Sequence, residues 1–251
     1  MKRFFQLLLV SLPIFAFGQG DLQEIALEGA TAIHVYAAFS SVSVTTGGNG
    51  VVAVNHTLTV DGADRPDLRH LAVERKDGII HLREVKPTAK TLQREFPGGK
   101  GQNITSGREG GKGVINGLVV DATLEIVVPA GIKIVVETNY GGIKAVNVAG
   151  LVKAHAKYGT VDVIFAAVSP MPNLDLYSNY GAVDVTIPAG RGANLDLTTE
   201  YGELLTDMDI LIDTNASEEK EFFQRVIGTI AGGGTRIKCE APYGDVYLRE
   251  G

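Results

Sequence analysis

The chain has 251 residues, enough for one sizeable domain or two small ones. Hydrophobic residues make up 45% and aromatics 7%, Trp is absent, and the 31 Gly fit a chain that turns often. A formal net charge of −6, spread along the sequence, argues against the basic surface that nucleic-acid binding requires.

The N-terminus reads as a signal peptide over residues 1–18. Lys2 and Arg3 supply the positive start, Phe4 to Phe17 is an apolar run interrupted by Pro13, and Ala16 and Gly18 are the small residues before a cut at Gln19. The apolar run is short of the roughly twenty residues that span a bilayer; a retained anchor is the second reading. No Cys follows the run to carry a lipid anchor, and no later segment is long and apolar enough to cross a membrane. The expectation is an exported mature chain, periplasmic or on the cell surface. Cys239 is alone, so packing must hold the fold without an internal disulfide.

From Asp21 to Val60 apolar and polar residues alternate, with Gly47-Gly48-Asn49-Gly50 as a hairpin turn. Leu71 to Val85 reads as a second hairpin turning at Lys76-Asp77-Gly78. Residues Lys86 to Gly113 hold seven Gly, six Lys or Arg and two acidic residues, too little apolar surface to offset ordering entropy, and read as a long mobile loop.

From Leu118 onward a repeat takes over. Tyr-Gly recurs at Tyr140, Tyr158, Tyr180, Tyr201 and Tyr243, the last gap being two periods. Four residues before Tyr lie Val136, Ala154, Leu176, Leu197 and Cys239, and six before lie Ile134, Val152, Leu174, Leu195 and Ile237. Two before are the small residues Thr138, Ala156, Ser178, Thr199 and Ala241; three after come Ile143, Val161, Val183, Leu204 and Val246. Alternate side chains therefore face inward, as in a strand with one buried face. Tyr falls in the same inward register, and the following Gly reads as a bend whose φ other residues resist. Val127-Val128-Pro129-Ala130-Gly131 and Thr186-Ile187-Pro188-Ala189-Gly190 mark corners.

The template finds a further copy at Ile33, Val35, Ala37 and Phe39, followed by Ser40, Val42 and Val44. Residues 51–113 then become an insertion after that first copy. Ser217 to Ile230 reads as either a helix start or a strand, with the strand preferred because both flanks are β. The fold class predicted is all-β: a β-solenoid of coils of about twenty residues with Tyr-Gly corners, plus an N-terminal hairpin and loop insertion, forming one domain over 19–251.

Chemistry is sparse in this sequence. His34, His56, His70, His81 and His155 lack ligand spacing, and no GxSxG, P-loop or βαβ-associated GxGxxG occurs. Cys239 reads as a small core residue. The expectation is no catalytic, cofactor-binding or metal residues and no cofactor. The sharpest candidates are stacked carboxylates: Asp162 over Asp184 on the second wall, and Asp175 over Asp196 on the first, with Lys153 and Lys238 nearby. Two carboxylates supply too few of the six to eight oxygens that calcium takes.

The leader, the repeated Tyr-Gly units and the terminal run from Gly232 through Thr235-Arg236-Ile237-Lys238 to Tyr243-Gly244-Asp245-Val246-Tyr247-Leu248 resemble the bacterial "putative-adhesin" domain family. That resemblance spans about residues 30 to 250 and implies an exported β-solenoid domain of undetermined function. The leading functional reading is a non-catalytic exported scaffold or adhesin-like domain contacting a cell-surface glycan or envelope protein. The alternatives are a carbohydrate-active enzyme using the acidic wall, and an envelope signalling partner.

Overall fold

The computed structural model describes residues 21–48, 50–85, 102–103, 111–115, 118–166 and 169–251. The predicted signal peptide and most of the predicted loop at 86–113 lie outside these residues. In chain order the strands are β1 (Asp21–Ala26), β2 (Ala32–Ala37), β3 (Ser41–Thr46), β4 (Val51–Val60), β5 (Ala63–Asp64), β6 (Leu71–Lys76), β7 (Ile79–Glu84), β8 (Gln102–Asn103) and β9 (Gly111–Ile115). They continue with β10 (Leu118–Val128), β11 (Lys133–Thr138), β12 (Ile143–Val146), β13 (Leu151–Ala156), β14 (Val161–Ile164), β15 (Leu174–Ser178), β16 (Val183–Ile187) and β17 (Ala193–Thr199). The last are β18 (Leu204–Thr206), β19 (Leu211–Ile212), β20 (Glu218–Lys220), β21 (Phe223–Ile230), β22 (Thr235–Ala241) and β23 (Val246–Glu250). A 3-10 turn at Pro66–Leu68 is the only helical element among the described residues.

These strands form two mixed sheets, and no barrel closes among the described residues. One sheet runs β1-β4-β10-β3-β12-β14-β16-β23-β18 and the other β19-β21-β17-β22-β15-β13-β11-β2-β7-β6. The first is antiparallel at its β1 end and parallel from β10 to β18, whereas the second is parallel from β17 to β7 and antiparallel at both ends. The main core lies between them and takes its side chains from alternate positions, among them Ile33, Val136, Leu176, Val185 and Ile237. Strands carrying the same part of the Tyr-Gly repeat pair in register, for example Leu176 with Cys239 and Val161 with Val183.

Several expectations need correction. The turn at 47–50 does not close a hairpin: β10 lies between β3 and β4, parallel to the first and antiparallel to the second. Local turn chemistry cannot reveal a partner that arrives some seventy residues later. The second hairpin stands, with Asp77 and Gly78 both at positive φ between paired β6 and β7. Strand β8 lies in the stretch read as loop, and β9 begins in it and pairs with β8 just past its end, through Val114 and Ile115. At the second Tyr-Gly repeat Leu151, not Val152, takes the inward position, because the β11–β13 register shifts after Ile134. Ser217 to Ile230 is extended, giving β20 and β21.

The order of the repeats in space departs from the order in the chain. Strands β22 and β23 insert between the pair β15, β16 and the pair β17, β18. Lys238 therefore separates Asp175 from Asp196, and the expected carboxylate stack on that wall is an alternation of charges instead.

The Gly after each Tyr has a different cause from the one its sequence suggests. None of Gly141, Gly159, Gly181, Gly202 and Gly244 has positive φ. Each presses against the backbone of the next repeat: a Cβ on Gly181 would sit 2.4 Å from the Gly159 carbonyl oxygen, and one on Gly244 would sit 2.1 Å from that of Gly181. Positive φ belongs to the Pro-Ala-Gly corners, at Gly131 (83°) and Gly190 (71°). Gly181→Ala should accordingly cost about 1–3 kcal/mol, as overpacking does, read as a lower urea midpoint. An unchanged midpoint would mean that the close approach is soft.

Candidate functional site

The Tyr-Gly edge is where the repeat meets solvent. Alternation breaks off at each Tyr because the strand ends there, so the rings swing onto the edge between the sheets instead of keeping the inward register. Tyr180, Tyr243 and Tyr201 are 51%, 52% and 61% exposed. Ring centroids are 5.2 Å apart from Tyr140 to Tyr158, 5.1 Å to Tyr180, 5.2 Å to Tyr243 and 5.1 Å to Tyr201, with planes within 16° of parallel. Phe222, itself 59% exposed, follows Tyr201 at 5.7 Å. Tyr140 packs at the other end against a second small core of Phe39, Leu58, Val60, Leu68, Val120 and Ala122. The result is one continuous row of six aromatic rings, half-buried at Tyr140 and Tyr158 and exposed from Tyr180 to Phe222. Sequence spacing could find its members but not their order or exposure.

Beneath the row runs a line of inward residues two positions before each of its tyrosines and before Phe39. Across the sheet they read Ala37, Thr138, Ala156, Ser178, Ala241 and Thr199, small apolar and hydroxyl residues in alternation. The hydroxyls hold the corners. Thr138 Oγ1 donates to the Gly141 carbonyl at 2.6 Å, Ser178 Oγ donates to that of Gly159 at 2.7 Å, and Thr199 Oγ1 donates to that of Gly244 at 2.9 Å. Ser178 Oγ also accepts from the Gly181 amide at 2.9 Å, and Thr199 Oγ1 from that of Gly202 at 3.1 Å. A buried hydroxyl needs such partners, and an alanine on either side leaves it room.

Glu84 continues this line beyond Ala37. It is 4% exposed and accepts from the amides of Phe39 at 2.8 Å and Ser40 at 3.0 Å and from Ser40 Oγ at 2.5 Å. Buried His56 lies 3.6 Å from it, longer than a hydrogen bond. Burial pushes the Glu84 carboxyl up, but the imidazole and the three donors outweigh it and hold the group below its ordinary value. The carboxylate caps the first Tyr-Gly-like corner where another repeat's backbone would otherwise lie, which lets Ser40 stand in place of Gly. Sequence reading missed this group, since nothing local marks Glu84 as buried.

Elsewhere the polar positions neutralise one another. Lys153 Nζ bonds Glu137 at 2.6 Å, His34 Nε2 lies 3.2 Å from Glu137, and Arg225 Nε reaches Asp196 at 3.1 Å. On the other wall Asp162 and Asp184 are direct neighbours as expected, but Lys144 stands 3.4 Å from Asp162 and Arg249 2.9 Å from Asp184. Burial pushes the Asp162 carboxyl up, the Lys144 charge opposes that, and Asp184 adds to it. His155 lies 3.4 Å from Asp175 and is pushed down chiefly by burial. Cys239 is buried in the core, where burial pushes its thiol up and away from reactivity. Among the described residues no three His, Cys, Asp or Glu side chains gather as a metal site, and no helix is long and apolar enough to cross a membrane.

No protein-family model and no curated protein matches the sequence. Similarity appears among solved structures. The crystal structure of a "putative cell adhesion protein" from Clostridium sporogenes aligns with a TM-score of 0.60 at 12% identity, over 93% of this chain and 99% of its own. At that identity the likeness establishes a shared fold and nothing finer. A "putative adhesin" from Bacteroides fragilis aligns over 92% and 96% of the two chains at 12% identity, with a TM-score of 0.29, too low to carry an argument.

Proposed function

We propose that the chain is a non-catalytic, exported, adhesin-type surface-binding domain, built as a β-solenoid whose coils are the Tyr-Gly repeats and whose contact surface is the aromatic row. The exposed edge from Tyr180 to Phe222 carries this reading. Large aromatic rings held by in-register strands lose little freedom when they bind, which favours Tyr as contact residues. The name borne by the Clostridium structure agrees in kind. The paired charges on the walls leave little unbalanced chemistry for catalysis.

The solenoid reading is supported by parallel pairing of like positions across seven neighbouring strands of each sheet. In the first sheet these run from β10 to β18, and in the second from β17 to β7. Strand β7, inside the insertion, and β10, just after it, extend the stack beyond β2 and β3, so part of the insertion becomes an end coil.

Retention of the purified chain on immobilised envelope fractions of a bacterium tests the proposal, with cytosolic protein as the comparison. Selective retention by the envelope is expected, together with recovery of the native chain outside the cytoplasm. Equal retention by both fractions would contradict the reading. A carbohydrate-active enzyme draws support from one observation, the half-buried Asp162 beside Asp184. Under the binding reading Asp162→Asn leaves envelope retention unchanged, whereas turnover of an envelope glycan abolished by that change would establish the enzyme.

A further inference from the structure

The spacing of the aromatic row is fixed by the strand pairing beneath it, close to the ~4.8 Å that separates neighbouring strands in any sheet. It therefore holds at 5.1–5.2 Å across four successive steps. A ligand that touches several rings together must repeat at that length, or at a small whole multiple of it, along a single axis. An extended peptide does not, because its same-side groups recur every ~6.6–6.8 Å and fall out of step within a few rings. The rise per sugar of an extended β-1,4-linked hexopyranose chain does match; successive sugars are turned over, so its same-side groups recur every second sugar and stay in step with every second ring.

We propose that the row binds a β-1,4-linked glycan laid along the edge, one sugar opposite each ring. This rests on the surface-binding reading above and names its ligand. The charge of the edge agrees. The residues preceding the six rings are Asn139, Lys157, Asn179, Pro242, Glu200 and Glu221 in spatial order, one cation, two anions and three neutral groups, which suits an uncharged polyhydroxyl chain and not a polyanion. Within the row the rings cover one another's faces, so the sugars meet ring edges. Hydrogen bonds come from flanking groups such as Asn179, whose Oδ1 already accepts from the Tyr177 hydroxyl and whose amide N–H groups can donate to sugar oxygens.

The full chain should be titrated with cellohexaose and chitohexaose, both β-1,4-linked, and with α-1,4-linked maltohexaose and β-1,3-linked laminarihexaose as geometric controls. Tyrosine emission reports chiefly on the row, which holds five of the eight tyrosines, with no Trp to mask it; calorimetry gives the affinity. Saturable binding of at least one β-1,4 hexamer is expected, stronger than that of its trimer, with no binding of either control. Tyr243→Ala interrupts the row and should weaken binding at least about tenfold, the scale of one hot spot. Tyr201→Ala shortens the row near one end and should weaken it less. Circular dichroism confirms that both variants are folded. Equal binding of α- and β-linked hexamers, or β-1,4 binding indifferent to both substitutions, overturns the assignment. If no β-1,4 hexamer binds but envelope retention persists, the ligand assignment fails and the surface-binding reading stands; loss of both removes both.

Discussion

Replacing Glu84 with Ala should lower stability by about 3–5 kcal/mol, the cost of removing one partner from a buried charged network. The substitution strips the acceptor from two buried amides and the Ser40 hydroxyl and leaves His56 beside a void. Glu84→Gln keeps an acceptor oxygen and should cost less. The pH dependence follows from the direction of the shift. Because the folded carboxyl lies below its ordinary value, its stabilising contribution is fully present above about pH 4.3, the ordinary glutamate value. It is lost as pH falls through the lowered folded value. The wild type should therefore lose stability in acid more steeply than Glu84→Gln, measured as urea midpoints from pH 7 downward. Parallel acid curves would mean that the cap is not held as a carboxylate.

Leu176→Ala should cost about 2–5 kcal/mol, because its side chain is fully buried between the sheets. Asp175→Ala, one position away, should stay within about 1 kcal/mol, as expected of exposed ion pairs. Its side chain is 44% exposed, with His155 at 3.4 Å and Lys238 at 3.8 Å. Similar denaturation midpoints for the two variants would contradict the inward and outward registers assigned to them.

How much of this was legible follows from the range of each interaction. Alternation reports on one strand and its neighbouring faces, so the buried positions around Val136, Leu176 and Cys239 could be read directly from the chain. Strand order is a long-range property. The placement of β22 between β15 and β17, and of β10 between β3 and β4, left no local trace. The error about Asp175 and Asp196 came from that limit alone. The Gly residues illustrate a second limit, because a missing Cβ has the same sequence signature whether it serves positive φ or a close backbone approach. Similarly, nothing in Tyr-Gly distinguishes a ring turned inward from one turned to the edge. The row emerges only once the strand ends and the order of repeats are known.

The contact surface can be tested by comparing envelope retention of the wild type with that of a chain carrying Tyr180→Ala, Tyr243→Ala and Tyr201→Ala together. The comparison belongs at a temperature where circular dichroism shows both folded, since each lost ring pair removes about 0.5–1.5 kcal/mol. Loss of retention in the folded triple variant is the predicted result, and retention equal to that of the wild type would place the contact surface elsewhere on the molecule.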